Sequence, residues 1–232
     1  MKRQITLLLT SLTLTALPKA AFGNRIETMR GIATKEGQTK PLYFEYHTIR
    51  YQGDKLQTSV TQYKSPKGDN IALLSSDYTR SLMLPTYLFE DLRRGYKEGL
   101  RWQKGQYYIF FQNPGEAEKI QPLEDTKGVF SGQGWHHYIM RNIDKIGTEG
   151  IELKLLFPGR LDYYGFDLNR NKQTESEVQF ILSFSNWFLK AFTPELTLRY
   201  QKQPRKLVYY RGPSNIAGID GEIQNVVVTY PD

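Results

Sequence analysis

The sequence predicts a mainly β protein, a curved antiparallel sheet or unclosed β-barrel with one or two short helices. The first observation is that three runs near the C-terminal end alternate apolar and polar residues with the two-residue period of a half-buried strand. The apolar positions of these runs are Val178, Phe180, Leu182 and Phe184; Leu196, Leu198 and Tyr200; and Ile223, Val226 and Val228. The second is that turn-forming residues separate the runs, at positions 203–204, 212–215 and 218–221. We therefore expect a terminal antiparallel meander onto which earlier strands pair or pack.

Earlier parts of the chain carry the same signals. Aromatic and β-branched runs separated by Gly, Pro, Asn and Asp predict strands at residues 42–51, 56–63 and 71–76. Two further hairpins are predicted, one turning at Lys104-Gly105 and one turning at Pro158-Gly159. Gly165, inside the second of these hairpins, indicates a bulge or a close backbone approach.

Two short segments have helical character. Trp135, Ile139, Ile143 and Ile146 recur at helical spacing, and Gly147 suits the position after a helix end. Residues 187–192 are expected to form a short helical turn between two strands of the terminal meander.

The N-terminal residues have the layout of a secretory signal peptide. Lys2 and Arg3 precede an apolar, hydroxyl-rich run at residues 5–18, and Ala21 and Gly23 place small residues where signal peptidase cleaves. This predicts cleavage after Gly23 and a periplasmic or secreted protein. The alternative is a buried N-terminal helix. The run is too short for a permanent transmembrane helix, and no transmembrane segment is expected in the mature chain.

Composition narrows the remaining possibilities. The sequence has no cysteine, so neither a disulfide nor a lipid-anchored cysteine is available, and residues 24–232 are expected to form a single β-rich domain around one core. The net charge is +7; residues 1–23 contribute three basic groups and no acid, which leaves +4 for residues 24–232. The basic residues are scattered, which together with export argues against nucleic-acid binding.

The ionisable residues suggest few sites. Glu90 and Asp91 lie just ahead of Arg93 and Arg94 among aromatic residues, a pattern typical either of an anion-binding or catalytic group or of solvated, weakly paired charges. His47, in the middle of a predicted strand, is interpreted as a residue of one face of the sheet rather than as a metal ligand or a catalytic base.

No metal or cofactor is predicted. His136 and His137 are adjacent, so on a helix their side chains point about 100° apart and do not suit one metal ion. No G-x-S-x-G or H-E-x-x-H motif is present, which argues against the common hydrolases.

The order of features along the chain resembles a set of uncharacterised bacterial exported proteins. The resemblance rests on LPTYLFEDLRRGYKEG, the LLFPGRLDYYGFDL hairpin and KLVYYRGPSNIAGIDGEIQNVVVTY, and above all on the RGPSNI turn. The shape of those proteins is thought to be similar to that of the lipoprotein carriers LolA and LolB. The resemblance implies a curved sheet wrapped as an unclosed barrel with helices in its mouth, and it suggests the binding of acyl chains in an apolar cavity.

These observations predict a non-enzymatic envelope protein that binds an apolar or amphipathic ligand, such as a lipid or a lipoprotein acyl chain. Its expected ligand-binding residues are Trp135, Ile139, Trp187 and Phe188. One alternative is a structural partner in an envelope complex, joined through an exposed strand edge. A second is an envelope hydrolase that uses paired carboxylates, Glu90 with Asp91 or Asp162 with Asp167.

Overall fold

The computed structural model describes residues 23–193 and 195–231. Strands account for 56% of the chain and helices for 8%, and the strands form one curved sheet that does not close into a barrel. The predicted fold class is therefore confirmed. No helix in the described part of the chain is long and apolar enough to cross a membrane. The predicted signal peptide lies almost entirely outside the described residues.

Fifteen strands make up the sheet in the part of the chain that the structure describes. The first eight are β1 (Asn24–Lys35), β2 (Pro41–Gln52), β3 (Lys55–Lys64), β4 (Asn70–Asp77), β5 (Thr86–Asp91), β6 (Tyr96–Gln103), β7 (Gln106–Gln112) and β8 (Lys119–Pro122). The others are β9 (Val129–Phe130), β10 (Ile151–Phe157), β11 (Asp162–Gln173), β12 (Glu177–Phe184), β13 (Leu196–Gln201), β14 (Lys206–Pro213) and β15 (Asn225–Thr229). The described residues also form two α-helices, α1 (Gly134–Asn142) and α2 (Trp187–Phe192), and a 3₁₀ turn at Pro158–Arg160.

The order of strands across the sheet is simple. It runs β8-β7-β6-β5-β4-β3-β2-β1-β15-β14-β13-β12-β11-β10-β9, so the first and last strands pair in the middle. All pairs are antiparallel except β9 with β10. The strands at the two outer edges, β8 and β9, are neighbours in sequence, and the sheet therefore curves until its two edges approach each other.

The core lies on the inner face of this curved sheet. Side chains alternate along each strand, so that in β12, for example, Val178, Phe180 and Leu182 are buried. One continuous apolar cluster extends across both halves of the sheet and includes residues of α1. Burial of this surface, at roughly 25 cal/mol per Å² of apolar area, is the main stabilising contribution in a chain without disulfides.

Both ends of the inner face are covered. Helix α1 lies at one end, where Arg205 of the β13–β14 turn donates to the Met140 carbonyl at 3.0 Å. At the other end the β14–β15 connection, residues 214–224, folds inward, and Ser214 Oγ lies 2.8 Å from Tyr43 Oη. Ile216 of this connection is fully buried. The inner face is thus filled by the protein's own side chains over most of its length.

Three details differ from the expectations. Helix α1 ends at Asn142, a turn earlier than the apolar spacing predicts, although Ile143 and Ile146 are still buried. Ile223 does not belong to the last strand, which begins at Asn225, and its side chain is exposed in the preceding connection. The register shift in β11 falls between Arg170 and Lys172, so Gly165 does not mark a bulge; it marks a close approach, because a Cβ atom there would lie 3.0 Å from Glu152 Oε1.

Candidate ligand-binding site

Helix α2 presents two large apolar side chains to solvent. Trp187 is 78% exposed and Phe188 is 56% exposed. The start of the helix is fixed by Asn186, whose side-chain oxygen accepts hydrogen bonds from the backbone N–H groups of Phe188 (3.0 Å) and Leu189 (3.2 Å). The cap therefore fixes the start of α2 in the connection between β12 and β13.

A second exposed apolar pair lies at the same end of the sheet. Ile219 and Ile223 are about three-quarters exposed, at 76% and 74%, in the β14–β15 connection. Strands β13 and β14 are adjacent and antiparallel, so the β12–β13 and β14–β15 connections emerge at one end. We call this the aromatic end; it carries residues 185–193, residues 214–224 and the 3₁₀ turn Pro158–Arg160.

An aromatic cluster extends from the core towards the same end. Phe166 is buried and its ring centroid lies 4.2 Å from that of Phe184 on the neighbouring strand. Phe157 stacks on Phe166 at 5.9 Å and is 37% exposed, and Tyr164 packs edge-on to Phe157 at 5.3 Å. Phe184 ends β12, three residues before Trp187, so the cluster lies close to α2 along the chain.

The four residues expected to bind ligand do not come together. Trp187 and Phe188 lie at the aromatic end, whereas Trp135 and Ile139 belong to α1 at the opposite end of β13. Ile139 is completely buried and Trp135 is packed against the core. The structure therefore assigns Trp135 and Ile139 to the packing of α1 and leaves Trp187 and Phe188 accessible to a ligand.

The interior contains a polar network that is not predicted from the sequence. Glu45 Oε2 accepts a hydrogen bond from the Tyr230 hydroxyl at 2.9 Å and lies 3.0 Å from His47 Nε2. His47 Nδ1 lies 2.9 Å from Thr61 Oγ1. All four side chains are buried, so this group is closed to substrates. Strand alternation, which places Glu45 and His47 on the same face, is the one sequence signal that could have revealed it.

The other two histidines of the chain are also buried. His136 Nδ1 lies 3.0 Å from the Tyr200 hydroxyl, and His137 packs edge-on against Tyr78. Burial lowers the pKa of His136 well below its usual range and lowers that of His137 to about 4, because the protonated ring loses its hydration. Both rings are therefore neutral at pH 7. The described residues contain no group of three or more His, Asp or Glu side chains arranged to hold a metal ion.

The charged group at residues 90–94 has a structural role. Asp91 is buried and is bound by two nitrogens of Arg93, at 3.1 and 2.7 Å. Arg93 also donates to the Ala217 carbonyl at 2.8 Å, which ties the β14–β15 connection to the β5–β6 turn. Glu90 points to the opposite face of β5 and pairs with Lys97 at 2.9 Å. The group therefore anchors a connection and does not form an open anion site.

The paired carboxylates do not share a site. Glu90 and Asp91 are successive residues of one strand and point to opposite faces of the sheet. Asp162 and Asp167 are five residues apart on β11 and therefore also face opposite sides. The Asp167 carboxylate accepts a hydrogen bond from Ser185 at 2.8 Å. Neither pair can flank one scissile bond.

Comparison with known proteins adds no assignment. No family model, curated protein or solved structure matches this chain.

Proposed function

We propose that this chain is an exported, non-enzymatic protein of the cell envelope that binds an apolar or amphipathic molecule, a lipid or the acyl chain of a lipoprotein, at the aromatic end of its sheet. The observation that carries the proposal is the presentation of Trp187 and Phe188 on a capped helix beside an aromatic cluster. Single exposed apolar residues are common on proteins, but a group of them at one end is typical of an interaction site.

The chemistry of the aromatic end suits an acyl chain. The cluster of Phe157, Tyr164, Phe166 and Phe184 offers ring faces and edges, and a hydrocarbon chain needs no hydrogen-bonding partner. Burying Trp187 and Phe188 against such a chain removes apolar surface from water, which contributes about 1.5–3 kcal/mol for each fully buried side chain. The basic residue Lys190, on the same helix, is exposed beside the pair and is available to an anionic headgroup.

The proposal is tested by lipid analysis and by probe binding. The protein containing residues 24–232 is purified without detergent, extracted with organic solvent and examined for lipid by mass spectrometry. A fluorescent fatty acyl probe is then titrated against the wild type and against the double variant Trp187→Ala/Phe188→Ala. We expect the double variant to bind about 10-fold or more weakly.

Trp102→Ala is the matched control for this titration. Trp102 is also surface-exposed, but it lies in the β6–β7 hairpin at the end opposite the aromatic end. Its removal should leave probe affinity unchanged. Equal weakening by Trp102→Ala and by the double variant, or a wild type with neither lipid nor saturable probe binding, would contradict the proposal.

A structural partner role is the second candidate, and one observation favours it. Strand β8 lies at the edge of the sheet, its four residues are all exposed, and among the described strands it pairs with β7 alone. An extended peptide could add to such an edge by backbone hydrogen bonds. Pro122 within β8 removes one backbone donor from that edge, which makes this candidate the weaker one.

A further inference from the structure

The two edges of the sheet meet without pairing. Strands β8 and β9 are the outer strands, and within residues 23–193 and 195–231 no backbone ladder joins the β6–β8 half to the β9–β11 half. The 3₁₀ turn Pro158–Arg160 instead packs against β6 and β7. We call this contact the seam, and define it by Tyr96, Glu98 and Gln121 on one side and by residues 157–161 on the other.

Near the aromatic end, the seam is held by side chains. Tyr96 donates a hydrogen bond to Glu98 Oε2 at 2.7 Å, and both groups lie against Gly159. A Cβ atom at Gly159 would lie only 2.9 Å from the Tyr96 hydroxyl, so the two sides approach closely there. Gln121 Nε2 donates to the Leu161 carbonyl. Each of these contacts is released by a change of side-chain rotamer.

The two halves are held differently at the opposite end. The backbone N–H of Ser131 donates to the Met83 carbonyl at 3.1 Å, and the Ser131 hydroxyl donates to the Pro85 carbonyl at 2.6 Å. Ser131 is buried, so water cannot readily replace these bonds. The seam is consequently weakest at the aromatic end.

Apolar surface lies directly behind this weak part. Phe157 immediately precedes the 3₁₀ turn and belongs to the aromatic cluster, and Leu161 immediately follows the turn and packs against the core. Movement of the turn away from Tyr96 and Gln121 would uncover Phe157 and the buried Phe166 beneath it. This movement of the turn would create space for an acyl chain on an inner face that is otherwise filled by side chains.

We propose that the seam parts at the aromatic end and admits a single acyl chain between the 3₁₀ turn and β6, onto the cluster of Phe157 and Phe166. This inference rests on the proposed function and adds to it the entry route of the acyl chain and the position where the chain binds. Trp187 and Phe188 make the first contact with the acyl chain, which then enters the opened seam.

Glu98 is suited to line such a route. Burial is the main cause that raises the pKa of this carboxyl group, and the hydrogen bonds from Tyr96 and from the Gly159 backbone lower it by less. A raised pKa keeps the carboxyl group neutral up to a higher pH, and the free-energy cost of placing a neutral carboxyl group beside a hydrocarbon chain is lower than that of placing a carboxylate there. The same group can hydrogen-bond a polar head that follows the chain.

The absence of cysteine from the chain allows a direct test. Gln121→Cys and Arg160→Cys place exposed thiols on the two sides of the seam, and a short bis-methanethiosulfonate reagent joins them reversibly. Lys119→Cys with Gln121→Cys is the matched control, because both of its thiols lie on β8. Association of the fluorescent acyl probe is measured before cross-linking, after cross-linking and after reduction.

We expect the cross-linked seam variant to take up probe at least 10-fold more slowly, with recovery on reduction, while the cross-linked control is unchanged. Uptake by the cross-linked seam at the rate of its reduced form would overturn the seam route and leave binding at the aromatic end intact. Absence of saturable binding in every form, wild type included, would overturn the proposed function itself.

Hydrogen exchange tests the opening without any ligand. Peptides that cover residues 119–122 and 157–161 should exchange faster than those that cover residues 129–134, where the halves are held by the Ser131 contacts. Slower or equal exchange at the seam would count against its opening.

Discussion

His47 and Glu45 point to the same side of β2, and His47 Nε2 lies 3.0 Å from Glu45 Oε2 in the interior of the protein. Tyr230, from the other end of the described chain, donates to the same oxygen. Gly31 makes room for this arrangement, because a Cβ atom there would lie 2.9 Å from the Tyr230 ring and 3.0 Å from Glu45 Oε2. The network thus joins β1, β2 and the segment after β15.

Replacement of Glu45 should destabilise the protein strongly. Glu45→Leu removes the acceptor and leaves the buried His47 and Tyr230 groups without their partner, so we expect the free energy of unfolding to fall by about 3 kcal/mol. Tyr230→Phe removes a single hydrogen bond and should cost about 1 kcal/mol. Urea unfolding measures both changes. Glu27→Leu, at an exposed position of β1, is the control, and a loss as large as that of Glu45→Leu would refute a special role for the network.

Acid should destabilise the fold through the buried histidine rings. The pKa of His137 is about 4 in the folded protein and about 6.5 when unfolded, so the unfolded state binds more protons between these values. Stability from this group is therefore present above pH 6.5 and is lost as the pH falls towards 4, by about 3 kcal/mol. Unfolding measured from pH 7 to pH 4 should show a smaller loss for His137→Phe than for the wild type. Parallel pH profiles for the two proteins would contradict this.

Asp91 and Arg93 should control the order of the β14–β15 connection. Arg93→Ala removes the hydrogen bond to the Ala217 carbonyl and leaves the buried Asp91 with the more distant Arg94, at 3.9 Å. We expect faster hydrogen exchange across residues 214–224 and a loss of about 3 kcal/mol of stability. Lys97→Ala breaks the partly exposed pair with Glu90 and should cost less than about 1 kcal/mol. Unchanged exchange in Arg93→Ala would show that the ion pair does not anchor the connection.

Gly99 should not tolerate a side chain. An added Cβ atom would lie 2.0 Å from the Tyr87 carbonyl oxygen and 3.0 Å from the Phe110 ring, so β5 and β6 would have to separate. We expect Gly99→Ala to reduce stability by about 3 kcal/mol. Gly147→Ala is the control, since the nearest atom is 4.0 Å away. Equal melting temperatures for the two variants would show that the strands adjust freely.

Export predicts a defined N-terminus. If the protein is secreted through a signal peptide, the mature form recovered from the periplasm or the medium begins at Asn24. Intact-mass measurement and N-terminal sequencing check this. A full-length product confined to the cytoplasm would contradict export, and with it the envelope setting of the proposed function.

Much of the fold can be predicted from the sequence because strands and turns have local sequence patterns. The alternation at Val178, Phe180 and Leu182 predicts β12, and its inner face is buried as expected. The pairing of β1 with β15 has no local signal, because it joins residues that lie far apart in the chain. The interior position of the β5–β6 hairpin has no local signal either, because strand order is set by the whole sheet.

The candidate site was only partly predictable. Trp187 and Phe188 come just after β12 and a polar pair, Ser185 and Asn186, which marks a connection and the start of a helix. Trp135 and Ile139 have equally apolar side chains, but the contacts that bury α1 come from Tyr78, Tyr200 and Arg205, on distant strands and turns. Helical periodicity identifies an apolar face and does not show whether that face meets a ligand or the core.

The pairing of β1 with β15 in the middle of the sheet sets the order in which the protein can be completed. Thr34 Oγ1 donates to the Val227 carbonyl across 193 residues of sequence, so the centre of the sheet is also its most non-local contact. During synthesis or translocation, one edge of β1 stays without its partner until the last strand has emerged. Folding should therefore be slow and complete only at the end of chain release, and a chain truncated before Asn225 should expose β1 and aggregate.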